Sequence, residues 1–225
     1  MYQILFILVM GGSFLVQMML KRKMNKYSQE ANPLGLTGKE IAEKMLKDNG
    51  IYDVQVISTP GQLTDHYNPQ DKTVNLSELV YASNSITAAA VSAHECGHAV
   101  QHATAYAMLG FRSKMVPMLN ISSKIMPFVL MGGFFLLMKG GSPIPLMLGV
   151  LLYGLTTLFA FVTLPVEFDA SNRALAWLDS KGLSGDSYDK AKDGLKWAAM
   201  TYVLNAVASL VNLLYYISIL NNRRS

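Results

Sequence analysis

Five consecutive residues combine metal-ligand side chains with a possible general base. His94-Glu95-Cys96-Gly97-His98 matches the pattern H-E-x-x-H, in which two histidines hold zinc and the glutamate acts on a water molecule. On a helix the two histidines lie one turn apart on one face, with about 6 Å of rise between them. Both imidazoles can then reach one tetrahedral ion. The pattern predicts one zinc ion held by His94 and His98, with Glu95 as general base for peptide hydrolysis.

The segment around this motif favours a helix. Residues 85–93 contain no Pro or Gly and are rich in Ala, and Ser83 or Ser85 can cap the N-terminus. We therefore predict a helix over about residues 85–106. The alternative is an ordinary helix with chance histidines, but three of the four histidines of the chain fall within nine residues, which favours the metal site.

His102 follows His98 at the same spacing of four residues. A straight helix places it about 12 Å along the axis from His94, too far for all three rings to share one ion. We expect His102 to lie in the second shell or in the wall of the pocket, or simply to pack as an ordinary histidine.

A better third ligand lies 69 residues after His98, in the segment LPVEFDASNRAL. Pro165 can begin a helix there, and Glu167 would share one face with three small residues, Ala170, Ser171 and Ala174. Such a face allows close helix approach, so Glu167 can complete a His-His-Glu site with the fourth position left to water. Asp169 is the weaker alternative, and both carboxylates could instead be ordinary acidic residues near a helix N-terminus.

The motif HECGHAVQH, an apolar hairpin and the segment VEFDASNRAL together resemble the YugP-type membrane zinc metallopeptidases. The chain is more distantly similar to the HtpX-type and CAAX prenyl membrane proteases. The resemblance implies a gluzincin, with His94, His98 and Glu167 as ligands and Glu95 as base. The distant relatives carry an Asp four residues after the ligand Glu, where it orients the first His. Here Ser171 occupies that position, so the second-shell role passes to Ser171 or another group.

The composition is apolar for a soluble protein, with 51% hydrophobic and 15% charged residues. Four segments reach or approach the ~20 residues needed to cross a bilayer: residues 2–20, about 117–138, about 144–165 and about 198–220. Four such runs in 225 residues predict a multi-pass integral membrane protein. The net charge of +4 is modest and no basic run suggests nucleic acid as a partner.

The distribution of basic residues indicates which side the site faces. Lys21, Arg22, Lys23 and Lys26 follow the first segment and should hold that end in the cytoplasm. The two arginines at 223 and 224 oppose this arrangement. Counting charges near the segment ends places the active site at the cytoplasmic face of the cell membrane.

A small sheet should precede the zinc helix. Residues 37–50 read as a helix with a capping box, residues 51–58 and 72–76 as strands, and residues 65–71 as a turn-rich loop. The exposed edge of an antiparallel sheet could hold an extended peptide across the metal. His66 and Tyr67 could stabilise the oxyanion, although an ordinary surface loop is the simpler interpretation.

The predicted fold is mainly α: a membrane helical bundle with a gluzincin-like zinc site and a small antiparallel sheet before the H-E-x-x-H helix. Its parts are an N-terminal anchor (1–22), a catalytic region (23–114), a membrane hairpin (115–165), a third-ligand helix and loop (166–197) and a C-terminal membrane segment (198–225). The predicted function is a zinc endopeptidase acting on membrane-associated or misfolded polypeptides. The alternatives are a zinc amidase of another substrate and a metal-stabilised scaffold or adaptor without turnover.

Overall fold

The computed structural model describes residues 2–221, so Arg223 and Arg224, which oppose the predicted sidedness, lie outside the described residues. The elements follow one another as α1 (Tyr2–Tyr27), α2 (Gly38–Asp48), β1 (Gln55–Thr59), β2 (His66–Asn68), β3 (Thr73–Ser77), α3 (Glu78–Ala82), α4 (Ile86–Ala103), α5 (Ala107–Met138), α6 (Ile144–Ser180) and α7 (Gly185–Asn221). The mainly α prediction is confirmed by this order.

Within residues 2–221, four helices are long and apolar enough to cross a membrane, by their length and composition. They are Ile4–Tyr27, Ala107–Met138, Ile144–Ser180 and Gly185–Asn221. Each overlaps one of the apolar segments found in the sequence and extends beyond it at one end or both, because a helix continues past its apolar stretch wherever polar residues still favour helical backbone. Most of the predicted third-ligand helix and loop (166–197) is helical, since α6 ends at Ser180 and α7 begins at Gly185.

The expectation that Pro165 begins a helix is wrong. Pro165 lies inside α6, which runs without a break from Ile144 to Ser180. Proline lacks one backbone donor and costs stability within a helix, but here it does not interrupt α6.

The small sheet has three strands in the order β1-β3-β2. β1 pairs with β3 in parallel, and β2 pairs with β3 in antiparallel register, Tyr67 opposite Val74. The prediction of an antiparallel sheet is therefore wrong for the β1–β3 pair, because the hairpin joins β2 to β3 and not β1 to β3. The segment 65–71, predicted to be a loop, contains the strand β2. This strand has only three residues and is too short to show the alternation of polar and apolar residues that is typical of a strand.

The helices predicted at 37–50 and about 85–106 are present as α2 and α4, with slightly shorter bounds. α2 begins at the Thr37 cap, where Thr37 and Glu40 form the predicted capping box. α4 begins at Ser85, whose Oγ accepts a hydrogen bond from the Ala88 amide at 3.1 Å. Capping of this kind satisfies helix donors that have no partner within the helix.

The chain divides into two compact units. One unit comprises Gly110–Leu164 with the N-terminal residues to Leu15 and the C-terminal residues from Thr201; the other comprises Val16–Leu109 and Pro165–Met200. The second unit contains a hydrophobic core to which α2, β3, α4 and the later part of α6 contribute, with Ile41, Leu76, Ala93 and Leu178 fully buried. This core surrounds α4 and fixes the helix that carries the H-E-x-x-H motif.

Candidate metal centre

Two helices of the second unit bring three possible ligands together. His94 and His98 come from α4 and Glu167 from α6, and one ligand atom of each lies within 4.8 Å of the others. Glu167 Oε2 is 3.3 Å from His94 Nε2 and 3.6 Å from His98 Nε2. Glu167 and His98 are buried and His94 is partly buried. The three groups could hold one metal ion.

The close approach of these helices depends on a glycine between the two histidines. A Cβ added at Gly97 would lie 2.5 Å from the Ala170 carbonyl oxygen, closer than such atoms ever come. Ala170 and Ala174 are fully buried, as a small-residue face on α6 requires. Gly97 therefore lets the backbones of α4 and α6 meet at the level of Glu167. Sequence reasoning missed this role, although small residues at contact positions on both helices could have indicated it.

The second ring nitrogen of each histidine has a partner. His94 Nδ1 lies 3.1 Å from Ser171 Oγ, and His98 Nδ1 lies 2.9 Å from Gln101 Oε1. Partners of this kind orient metal-ligating imidazoles. Sequence reasoning named Ser171 and missed Gln101, whose spacing of three residues from His98 places it on the same helical face.

Glu95 projects from the same helix but takes no part in the three-group cluster. It is buried, and its Oε2 accepts a hydrogen bond from the Tyr67 backbone N–H at 3.0 Å. Strand β2 thus lies against the candidate base, and its main chain orients the Glu95 carboxylate. This contact was beyond sequence reasoning because β2 itself was not predicted.

The remaining candidate residues occupy different positions around the cluster. The Tyr67 hydroxyl lies 2.7 Å from Nδ1 of His102, which is exposed, while the backbone N–H of Tyr67 contacts Glu95. His66 is exposed and its Nδ1 lies 2.7 Å from the Thr64 carbonyl oxygen, so its contact is local. Asp169 is not a member of the cluster and bonds instead to Gln101 Nε2 and Arg173 Nε.

Burial and charge perturb the groups in this region. Burial by itself lowers the pKa of His98, but the hydrogen bond with Glu167 and the charge of Glu95 outweigh it, so the pKa is raised above its usual 6.5. Burial also raises the pKa of the Tyr67 phenol. The Cys96 thiol is fully buried and its pKa is raised well above 9.0, mainly by that burial. The Glu167 and Glu95 carboxylates near His98 favour positive charge at this position, whether on the imidazole ring or on a bound metal ion.

The donor set fits zinc. Two imidazole nitrogens and one carboxylate oxygen are the ligand set of one group of catalytic zinc sites, which leave a fourth position open. The Nδ1 atoms of both histidines face polar partners, so that the Nε2 atoms face Glu167. The cluster therefore has the chemistry and the outer hydrogen bonds that a zinc site needs.

Comparison with known proteins agrees with this geometry. Residues 2–221 match a family model described as "Putative neutral zinc metallopeptidase", and the chain belongs to that family. It is 40% identical over 219 residues to the Bacillus subtilis (strain 168) protein named "Putative membrane protease YugP", which covers 97% of this chain and 96% of that protein. No solved structure matches the chain. The resemblance to YugP-type proteases is thus confirmed over nearly the whole length.

Proposed function

We propose that this chain is a zinc endopeptidase of the membrane in which His94, His98 and Glu167 hold one zinc ion and Glu95 is the general base. The observation that carries the proposal is the convergence of the three ligand groups, within 4.8 Å, beside a buried carboxylate that is not one of them. A site built only to bind a metal has no use for that fourth group. This argues against the scaffold alternative.

When bound, zinc would polarise the scissile carbonyl and lower the pKa of a water molecule. Glu95 would accept the proton of the attacking water and deliver it to the leaving amine. The Tyr67 N–H bond to Glu95 Oε2, at 3.0 Å, leaves Oε1 as the oxygen that receives this proton. The Tyr67 hydroxyl and His102, 2.7 Å apart, form a polar pair suited to stabilising the oxyanion.

The experiment is Glu95→Gln, which keeps the size of the side chain and its ability to accept from the Tyr67 amide. We expect zinc content near one ion per chain and loss of casein hydrolysis by a factor of about 10² or more. Glu43→Gln, a change of the same kind on the exposed face of α2, should retain activity. Full activity of Glu95→Gln would refute the general-base assignment.

Glu167→Ala separates ligand from base. We expect this variant to lose both zinc and activity, because it removes the carboxylate that, among residues 2–221, lies near both imidazole Nε2 atoms. Zinc content measured by atomic absorption on the purified variant decides it. Retention of a full zinc equivalent would move the third ligand elsewhere.

The substrates we propose are membrane-associated or misfolded polypeptides, reached from the cytoplasmic face of a multi-pass protein. Support comes from the four membrane-length helices and from the basic residues at the C-terminal end of the first of them. In a Cys96→Ser background, Ser184→Cys should resist an impermeant thiol reagent in intact cells, and Ser142→Cys should react. The reverse labelling pattern would place the site outside.

A further inference from the structure

Gln101 is a fully buried residue that has no role in the proposed reaction. It lies on α4, one turn after His98, and its side-chain amide makes three hydrogen bonds to protein groups. A fully buried amide cannot exchange partners with water, so each of its bonds constrains the neighbouring group. Gln101 joins a candidate ligand on α4 to the helix that carries Glu167.

The orientation of the Gln101 amide is determined by its acceptors. Its nitrogen lies 2.7 Å from the Val166 carbonyl oxygen and 2.8 Å from Asp169 Oδ2. Both neighbours are acceptors: one is a backbone carbonyl oxygen, and the other is a carboxylate oxygen that already accepts from Arg173 Nε at 2.6 Å. The NH₂ group must therefore face α6, and the amide oxygen must face His98. Rotating the amide by 180° would place oxygen against two acceptors and break both bonds.

The amide oxygen in turn determines the state of the His98 ring. Gln101 Oε1 lies 2.9 Å from His98 Nδ1 and can only accept a hydrogen bond, so Nδ1 must carry the proton. In a neutral imidazole the other nitrogen then has a free lone pair. That nitrogen, Nε2, is the one that lies 3.6 Å from Glu167 Oε2.

The Nδ1 partner of His94 imposes no such constraint. This nitrogen lies 3.1 Å from the Ser171 hydroxyl, which can rotate to donate or to accept. Either tautomer of His94 is compatible with that contact. The two histidines of the motif thus have unlike partners at Nδ1, and only the partner of His98 selects one tautomer.

We propose that Gln101 is a positioning residue that fixes His98 in the Nδ1-protonated tautomer and so presents its Nε2 lone pair to the metal site. Asp169 and Arg173 act through Gln101 by holding its amide in one orientation. Because Val166 precedes Glu167 directly, the same amide also holds the carboxylate helix at the height of His98. The inference rests on the proposed zinc site but concerns residues outside its ligand set.

The first test uses the unaltered, metal-free protein. Selective ¹⁵N labelling of histidine, with long-range ¹H–¹⁵N correlation spectra at a pH where the imidazoles are neutral, reports the tautomer of each ring. We expect His98 in the Nδ1–H form alone. An Nε2–H tautomer, or a mixture of the two, would overturn the proposal, and this reading does not depend on whether zinc binds.

The second test measures zinc affinity by competition with a chromophoric chelator. Gln101→Met keeps the length of the side chain and removes the amide, and we expect a loss of zinc affinity of about 10- to 100-fold. Ser92→Ala is the matched control, a fully buried polar residue of the same helix without a hydrogen-bond partner in the described part of the chain. Its zinc affinity should equal that of the wild type.

The tautomer of His98 in Gln101→Met distinguishes positioning from packing. This variant removes the acceptor of His98 Nδ1, so we expect the Nε2–H form to appear in the same ¹⁵N spectra. A folded Gln101→Met in which His98 keeps the Nδ1–H form alone would overturn the proposal, as would wild-type zinc affinity in that variant. If the wild type bound no zinc, the proposed function would be refuted instead. The tautomer spectra of the metal-free protein would still test whether Gln101 fixes the tautomer of His98.

Discussion

The contact between Gly97 and Ala170 gives the sharpest prediction about how this site is built. The Gly97→Ala substitution adds one methyl group within the H-E-x-x-H motif without touching a candidate ligand or base. The new Cβ would lie 2.5 Å from the Ala170 carbonyl oxygen and 3.0 Å from the Ala170 Cα. Both atoms belong to the backbone, so no side chain can rotate out of the way.

The magnitude follows from this geometry. Ordinary contact begins near 3.4 Å, so the two helices must separate by up to about 0.9 Å at this point. Forcing an extra methyl group into a packed core costs about 1–3 kcal/mol, and the intrinsic preference of a helix for Ala over Gly returns about 1 kcal/mol. We expect the free energy of unfolding to fall by about 1 kcal/mol. We expect a larger effect on activity, about 10²-fold, because a displacement near 1 Å misplaces Glu167 against the histidines.

The assay compares thermal unfolding, zinc affinity and casein hydrolysis of purified Gly97→Ala with those of the wild type. Gly194→Ala is the control, because a Cβ there would meet Met24 Sδ at an ordinary 3.6 Å in the same unit. It should be as stable as the wild type or more so. If Gly97→Ala bound zinc and cleaved casein like the wild type, the close approach of α4 and α6 would not be what sets the metal site.

Three further outcomes can be measured. The metal-free fold raises the pKa of His98, so protonation of this ring stabilises the fold fully below pH 6.5 and no longer does so once pH has risen through the raised pKa. Zinc binds only the neutral ring, so zinc affinity should fall as pH drops through the same range. An affinity independent of pH would contradict this. The Cys96 thiol, buried with its pKa raised well above 9.0, should resist a thiol reagent at about pH 8 in the folded protein and react after unfolding, and ready labelling of the native protein would contradict the buried position. Ser92→Ala removes a buried hydroxyl that lacks a hydrogen-bond partner among residues 2–221, so the free energy of unfolding should rise by about 1 kcal/mol, and a clear loss of stability would show that the hydroxyl has a partner.

The sequence by itself determined those features that depend on neighbouring residues. The spacing of His94 and His98 required only the periodicity of a helix, and the Ala-rich segment with its Ser85 cap predicted that helix. The four apolar helices were visible as runs of residues for the same reason. The capping box of Thr37 and Glu40 is likewise a pattern of residues three apart.

The sequence favoured Glu167 over Asp169 as the third ligand, and the structure was needed to show the distances. Residues two apart on a helix face different directions, so only one of them could join the histidines. The small-residue face favoured Glu167, and the structure places that carboxylate within 3.3 Å of His94 Nε2 while Asp169 bonds to Gln101. Periodicity supplied the direction, but only the packing of α4 on α6 supplied the distance.

Only the tertiary structure decided the contacts between distant segments. These contacts join parts of the chain whose local sequences carry no information about each other. They are the parallel pairing of β1 with β3, the pairing of the three-residue strand β2 with β3, and the hydrogen bond from the Tyr67 N–H to Glu95. The bonds from Gln101 to Val166 and Asp169 span 65 and 68 residues. Local periodicity determines which face of a helix a residue occupies. The partner that the residue meets there depends on how the whole unit packs, because a hydrogen bond forms only when packing brings donor and acceptor within about 3 Å.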